Sequence, residues 1–208
     1  MYASVLPSVE QGYVAVKEGK LFYQKFGRGT PLVIMHGGPG LDQGYLLPQL
    51  SELADQYQVI LYDQRGSGKS VGKSDQYITV EQFVEDLEVL RTSLGIEKFI
   101  LMGHSWGRVL ALRYSVQYQD NIFGLILCST APINNKGMEL FAKSFGMKTQ
   151  PIAKDITPIF SWDEFQKLEA TQIEALFRTL FSVYLHDQSK ASELRLCRAL
   201  LQREADLR

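Results

Sequence analysis

Four short apolar runs, at residues 31–35, 58–62, 98–102 and 123–128, alternate with stretches of helical spacing, and this alternation limits the fold more than any other feature of the chain. Runs with little polar alternation suit strands covered on both faces. Between them, Leu47, Leu50 and Leu53 mark a helical stretch, and Phe83, Leu87, Leu90 and Leu94 share one helix face. Thr79 and Gln82 have the spacing of a capping box at the start of that helix, and Gly95 is placed to end it. Residues 109–118 read as another helix. Strand, helix, strand at this cadence demands right-handed crossovers, hence an α/β fold with a mostly parallel sheet and helices on both faces. Ahead of it, two β-rich runs around Lys17-Glu18-Gly19-Lys20 predict an opening hairpin.

After about residue 133 the alternation stops. The remainder carries only helical signals, at residues 138–145, 162–168, 173–184 and 192–205. This predicts two units, a core over 1–133 and a helical layer over 134–208, with the C-terminal part of the core missing. The strand at 123–128 would then be a bare apolar edge. It is expected to be covered by a partner, by self-association or by the helical tail.

Of the 208 residues, 45% are hydrophobic and 22% charged, the balance of a globular protein. Lys and Arg total 22 against 23 Asp and Glu, a net charge of -1, so there is no basic field for a nucleic acid. The two cysteines, Cys128 and Cys197, are far apart and match no metal-ligand spacing, which argues for a reducing cytoplasm and for neither a disulfide scaffold nor a metal site. The first residues lack the basic and apolar regions of a signal peptide, and no apolar run is long enough to span a bilayer, so no membrane association is expected.

Three segments carry chemistry. Gly103-His104-Ser105-Trp106-Gly107 directly follows one strand run and precedes a helix, the setting of a G-x-S-x-G nucleophile elbow. A sharp strand-to-helix turn lifts a serine hydroxyl above the sheet, and the helix N-terminus beyond it favours developing negative charge. His36-Gly37-Gly38-Pro39-Gly40 follows another strand run, where a backbone N–H could converge with that of Trp106 to form an oxyanion hole. Asp63-Gln64-Arg65-Gly66-Ser67-Gly68-Lys69-Ser70 contains GSGKS, but a P-loop needs glycine where Asp63 stands. Asp63 and Arg65 read instead as residues that order a loop near the site. Nucleotide binding would require Lys69 to face a phosphate-sized nest.

Together, HGGPG, DQRGSGKS and GHSWG resemble the α/β-hydrolase superfamily, and within it the prolyl iminopeptidase group of serine peptidases. The likeness covers about residues 10–133, and the helical tail fits the group's cap in character. The resemblance implies a cofactor-free serine hydrolase that releases an N-terminal residue, preferentially proline, from short peptides. It makes Ser105 the nucleophile and the N–H groups of Gly38 and Trp106 the oxyanion donors. A serine at the elbow argues against dehalogenases and epoxide hydrolases of this fold, which use a carboxylate there. The other readings are a carboxylesterase or amidase, acting on an ester or amide, and a non-catalytic pseudo-hydrolase.

The chain departs from the pattern in two places. The group's acid and histidine follow Ser105, in loops beyond further strands, yet His186 is the only histidine after Ser105 and reads as a surface residue of a cap helix. Arg108 stands where the group usually has another glycine, and it must either snorkel outwards or push the helix from the sheet. An aminopeptidase also needs carboxylates for the substrate ammonium; Asp163, Glu164, Glu169 and Glu174 are available.

Overall fold

In a computed structural model, the structure describes residues 8–38, 41–47, 49–72, 78–129, 135–160, 164 and 167–193. The hairpin forms as expected: β1 (Glu10–Val16) pairs antiparallel with β2 (Gly19–Phe26), and the positive φ of the turn falls on Glu18, at 51°. The apolar runs become β3 (Thr30–Met35), β4 (Tyr57–Tyr62), β6 (Phe99–His104) and β7 (Ile122–Cys128), with a short β5 (Val71–Gly72) between them. Among the described residues the sheet has seven strands, in the order β1-β2-β4-β3-β6-β7 with β5 paired to β2. β4, β3, β6 and β7 run parallel, and β2 joins β4 antiparallel.

On one face lie α1 (Val80–Ser93) and α2 (Trp106–Gln117), which bury Leu87, Leu90, Leu110 and Tyr114 against Val33, Met35, Phe99 and Leu101. The other face is covered differently from the expectation. The stretch with Leu47, Leu50 and Leu53 forms 3₁₀ turns, Gln43–Leu46 and Gln49–Asp55, rather than an α-helix. A spacing of three residues matches a helix of three residues per turn, and these leucines pack on Ile34, Val59 and Leu61.

Only half of the expected capping box forms. The Thr79 hydroxyl accepts the Gln82 N–H at 3.2 Å, but the Gln82 amide reaches forward to Asp86 instead of back to the cap. Gly95, at φ 66°, follows the end of α1.

Beyond β7 the described elements are helical: α3 (Asn135–Thr149), α4 (Ala170–Ser182) and short 3₁₀ turns, including Gln188–Glu193. The helix expected at 173–184 ends at Ser182, and those at 162–168 and 192–205 lie largely outside the described residues. Ile156, Ile173, Leu176, Phe177 and Leu180 form an apolar cluster that closes on Leu41 and Tyr45. The helical layer therefore rests on the segment just past β3. β7 occupies the sheet edge among the described strands, with Phe123 64%, Ile126 42% and Leu127 37% exposed. No helix among the described residues is long and apolar enough to cross a membrane.

Candidate active site

Ser105 sits between the end of β6 and the start of α2 with φ 52° and ψ -115°. That region is costly for a residue with a side chain and persists only where its surroundings impose it. Here they do: the Ser105 N–H donates to the Cys128 carbonyl at 3.0 Å, and the Ser105 carbonyl accepts the Arg108 N–H at 3.1 Å. α2 then runs hard against β3, because Gly107 has no side chain. A Cβ there would lie 2.3 Å from the Met35 carbonyl oxygen.

The loop after β3 meets this turn. A Cβ on Gly37 would stand 3.1 Å from the Ser105 Cβ and 2.9 Å from the Tyr45 hydroxyl, so glycine allows the loop to reach the serine. Gly38 follows with φ 150°, while Pro39 and Gly40 lie outside the described residues. Gly37 gives its own N–H to Tyr45 Oη at 2.6 Å, which leaves the next amide, that of Gly38, as the loop's candidate donor. Trp106 is the first residue of α2, where N–H groups have no acceptor within the helix. Its ring packs edge-on to Phe83.

His36 anchors the loop from below. Its Nε2 accepts the Gln64 N–H at 2.9 Å, so the ring proton is on Nδ1 and is donated to the Gly37 carbonyl at 2.6 Å. Full burial pushes the His36 pKa down and keeps the ring neutral. The Gln64 side chain donates to the His36 carbonyl at 2.6 Å, closing the link.

The GSGKS segment orders this loop and cradles no phosphate. The Asp63 carboxylate accepts the Gln43 N–H at 3.1 Å and the Lys69 N–H at 2.8 Å, filling the place of an anion with a side chain of the chain itself. The Lys69 ammonium lies over the Phe22 ring, 4.5 Å from its centroid. Arg65 is fully buried and makes two bonds to Asp86 of α1, at 2.9 and 2.6 Å, fastening the loop to the helix. The nucleotide-binding alternative thus loses its geometric basis.

Among the described residues, no imidazole is hydrogen-bonded to the Ser105 hydroxyl. His36 is committed to Gln64 and Gly37, and His104 Nδ1 lies 2.6 Å from Tyr45 Oη. His186 is exposed, in a bend past the end of α4 rather than within a helix. Arg108 is only 2% exposed, so it does not run along the surface, and α2 nonetheless stays close to β3. Of the carboxylates weighed for a substrate ammonium, Glu174 pairs with Arg178 at 2.7 Å, and Glu169 caps the start of α4, its own N–H donating to the Gln172 side chain at 2.8 Å. Asp163 lies outside the described residues. No group of three or more His, Cys, Asp or Glu that could hold a metal occurs among the described residues.

Sequence reasoning missed Tyr45 and Asp42. Asp42 is buried, caps the turn at Gly44 with a 2.7 Å bond, and has its pKa raised to about 6 by burial and then by the charge of Asp63. The cap of Asp42 on Gly44 is local and an aspartate ahead of a turn could have signalled it, whereas its burial beside Asp63 and the contacts of Tyr45 with Gly37 and His104 arise only when the fold brings these loops together.

The family model for the alpha/beta hydrolase fold matches residues 30–201. The chain is 38% identical over 130 residues to the proline iminopeptidase of Heyndrickxia coagulans, covering 59% of this chain and 45% of that one. It is 35% identical over 156 residues to that of Saccharolobus solfataricus, covering 71% and 50%. The crystal structure of a proline iminopeptidase-related protein from Thermus thermophilus superposes with a TM-score of 0.55 at 29% identity, covering 65% of this chain and 56% of that one. The chain spans about half the length of these two curated relatives. With the mostly parallel sheet and the serine turn between β6 and α2, these matches show that the chain belongs to the alpha/beta hydrolase fold family, in which it is similar to proline iminopeptidases.

Proposed function

We propose that the chain carries the nucleophile and oxyanion loop of a serine hydrolase of the proline iminopeptidase kind, which releases N-terminal proline or a similar residue from peptides. In this reading Ser105 Oγ attacks the carbonyl carbon of the first residue, and the carbonyl oxygen takes up negative charge between the N–H groups of Gly38 and Trp106. The acyl-enzyme forms as the remaining peptide leaves as an amine that takes up a proton, and water then attacks the ester, releasing the first residue and restoring the Ser105 hydroxyl. The hydroxyl proton must pass to a base, and the reading assigns none of the three histidines to that role. The observation that carries the proposal is the forced backbone of Ser105, φ 52° and ψ -115°, with Gly37 packed against it. A positive φ is shared with the hairpin residue Glu18; what sets Ser105 apart is its place between β6 and the N-terminus of α2, beside the loop after β3.

The reading also divides the chain into a core over 1–133 and a cap over 134–208, places it in the cytoplasm, and gives the exposed β7 edge to a partner or a second copy. A non-catalytic pseudo-hydrolase is the second reading, favoured by the lack of an imidazole on the Ser105 hydroxyl among the described residues. Intact mass before and after treatment with a fluorophosphonate separates the two. One adduct on the 23.6 kDa chain, absent from Ser105→Ala, would mean that a base for Ser105 lies within these residues and supports the hydrolase reading. A chain that stays unlabelled overturns it in favour of the pseudo-hydrolase.

A further inference from the structure

Tyr45 stands where the helical layer, the oxyanion loop and the serine turn meet. Its ring stacks on Phe181 of α4, with centroids 6.4 Å apart and planes at 27°, and Phe181 stacks on Phe177 at 6.0 Å. On its other side the ring lies 5.4 Å from that of His104, the residue before Ser105. Its hydroxyl oxygen accepts the Gly37 N–H at 2.6 Å and lies 2.6 Å from His104 Nδ1.

A phenol has one proton to give. Burial raises the Tyr45 pKa, so that proton stays on at neutral pH, and burial lowers the His104 pKa, so the imidazole is neutral. With the Gly37 N–H occupying the oxygen, the arrangement that gives both the phenol proton and Nδ1 a partner has the phenol donating to Nδ1 and the His104 hydrogen on Nε2.

We propose that Tyr45 is a positioning residue that couples the helical layer to the serine site, its ring held by the aromatic face of α4 and its hydroxyl setting the oxyanion loop through Gly37 and the elbow through His104. The coupling concerns structure alone, and its catalytic consequence rests on the function proposed above. Gly37 and Gly38 give the loop little intrinsic rigidity; Gln64 and the His36 ring hold its carbonyls, and the Tyr45 bond is the one that holds the Gly37 N–H beside the serine. A displacement of about 1 Å at such a site costs on the order of a hundredfold in rate.

The test uses the ¹⁵N-labelled full chain, with Tyr45→Phe and Phe181→Ala, and reads the His104 tautomer by long-range ¹H–¹⁵N NMR and the Gly37 amide by hydrogen exchange. Wild type should show His104 protonated on Nε2. Tyr45→Phe should release that tautomer and speed Gly37 exchange about tenfold, with Leu101 and Leu87 amides unchanged as the folding control. Phe181→Ala removes no hydrogen-bonding group, yet it should move both signals the same way. A wild-type Nδ1–H tautomer, or Gly37 exchange unaltered in Tyr45→Phe, overturns the hydrogen-bonded link. Signals unmoved in Phe181→Ala overturn the coupling to α4. Fluorophosphonate labelling of wild type is read separately: an unlabelled serine sinks the hydrolase reading and leaves the Tyr45 link to be decided by NMR.

Discussion

Asp42 carries an electrostatic strain that sets a pH dependence for the fold. Its carboxyl is buried beside Asp63, and the cap it offers the Gly44 N–H only partly offsets the loss of water, so its pKa rises from 3.8 to about 6. A carboxyl that binds its proton more tightly in the folded state than in the unfolded chain stabilises the fold below the unfolded value and loses that contribution as pH climbs to about 6. The full swing is about 3 kcal/mol, of which about 2 kcal/mol falls between pH 7.5 and 4.5. Asp42→Asn keeps an acceptor for Gly44 and removes the titration. Urea unfolding should find the variant the more stable of the two at pH 7.5, with the gap narrowing by about 2 kcal/mol at pH 4.5. A gap independent of pH would mean that Asp42 is an ordinary solvated carboxylate. Nothing in the sequence around Asp42 announces this, whereas Ser105 and Gly38 stand out in strings whose glycines are needed locally. The difference is one of range: the elbow is a local turn, while Asp42 owes its state first to its burial in the fold and then to the charge of Asp63, a residue from the loop after β4.

The elements that were legible are those whose pattern the sheet imposes: continuous apolar runs where a strand is covered on both faces, and a helical period where a helix lies on one face. β3, β4, β6 and β7 lie where the apolar runs fall, and α1 buries Phe83, Leu87 and Leu90 as their spacing requires. What was not legible are the elements that tertiary contacts decide, such as the 3₁₀ turns in place of a helix at Gln49–Asp55 and the two-residue β5. The buried pair of Arg65 and Asp86 belongs to this second kind, since it ties the loop after β4 to α1. Burial alone raises the Asp86 pKa and the guanidinium pulls it back only in part, so the pair is costly to assemble and more costly to break. Asp86→Ala leaves a buried cation without its carboxylate and should cost about 3–5 kcal/mol, seen as a fall in Tm of about 10 °C. Losing the pair should also free the loop that holds His36 through Gln64. A Tm within about 2 °C of wild type would show that water reaches Arg65 and that the loop is held by Asp63 and Ser70 alone.

Across the whole molecule, apolar cover is uneven. The face under α1 and α2 is sealed, and α4 closes over Leu41 and Tyr45, but β7 presents Phe123, Ile126 and Leu127 to water along the outermost described strand. An edge of this kind offers unpaired backbone groups and apolar side chains together, which is a template for pairing with another chain. The net charge of -1 supplies almost no repulsion to oppose it. The 208-residue chain should therefore associate in a concentration-dependent way, visible in sedimentation velocity at micromolar concentrations. Phe123 is the most exposed of the three, and Phe123→Lys both removes apolar area and puts a charge on the edge, the device natural edge strands use against pairing. The variant should need about tenfold more protein to reach the same degree of association, a change of about 1.4 kcal/mol, while its unfolding midpoint stays near that of wild type because Phe123 supports no core cluster. If wild type and variant are both monomeric across the range, the β7 edge drives no association and the prediction fails. If both associate equally, the contact lies elsewhere, and the exposed side chains of α3, Leu140, Phe141 and Met147, become the surface to charge next.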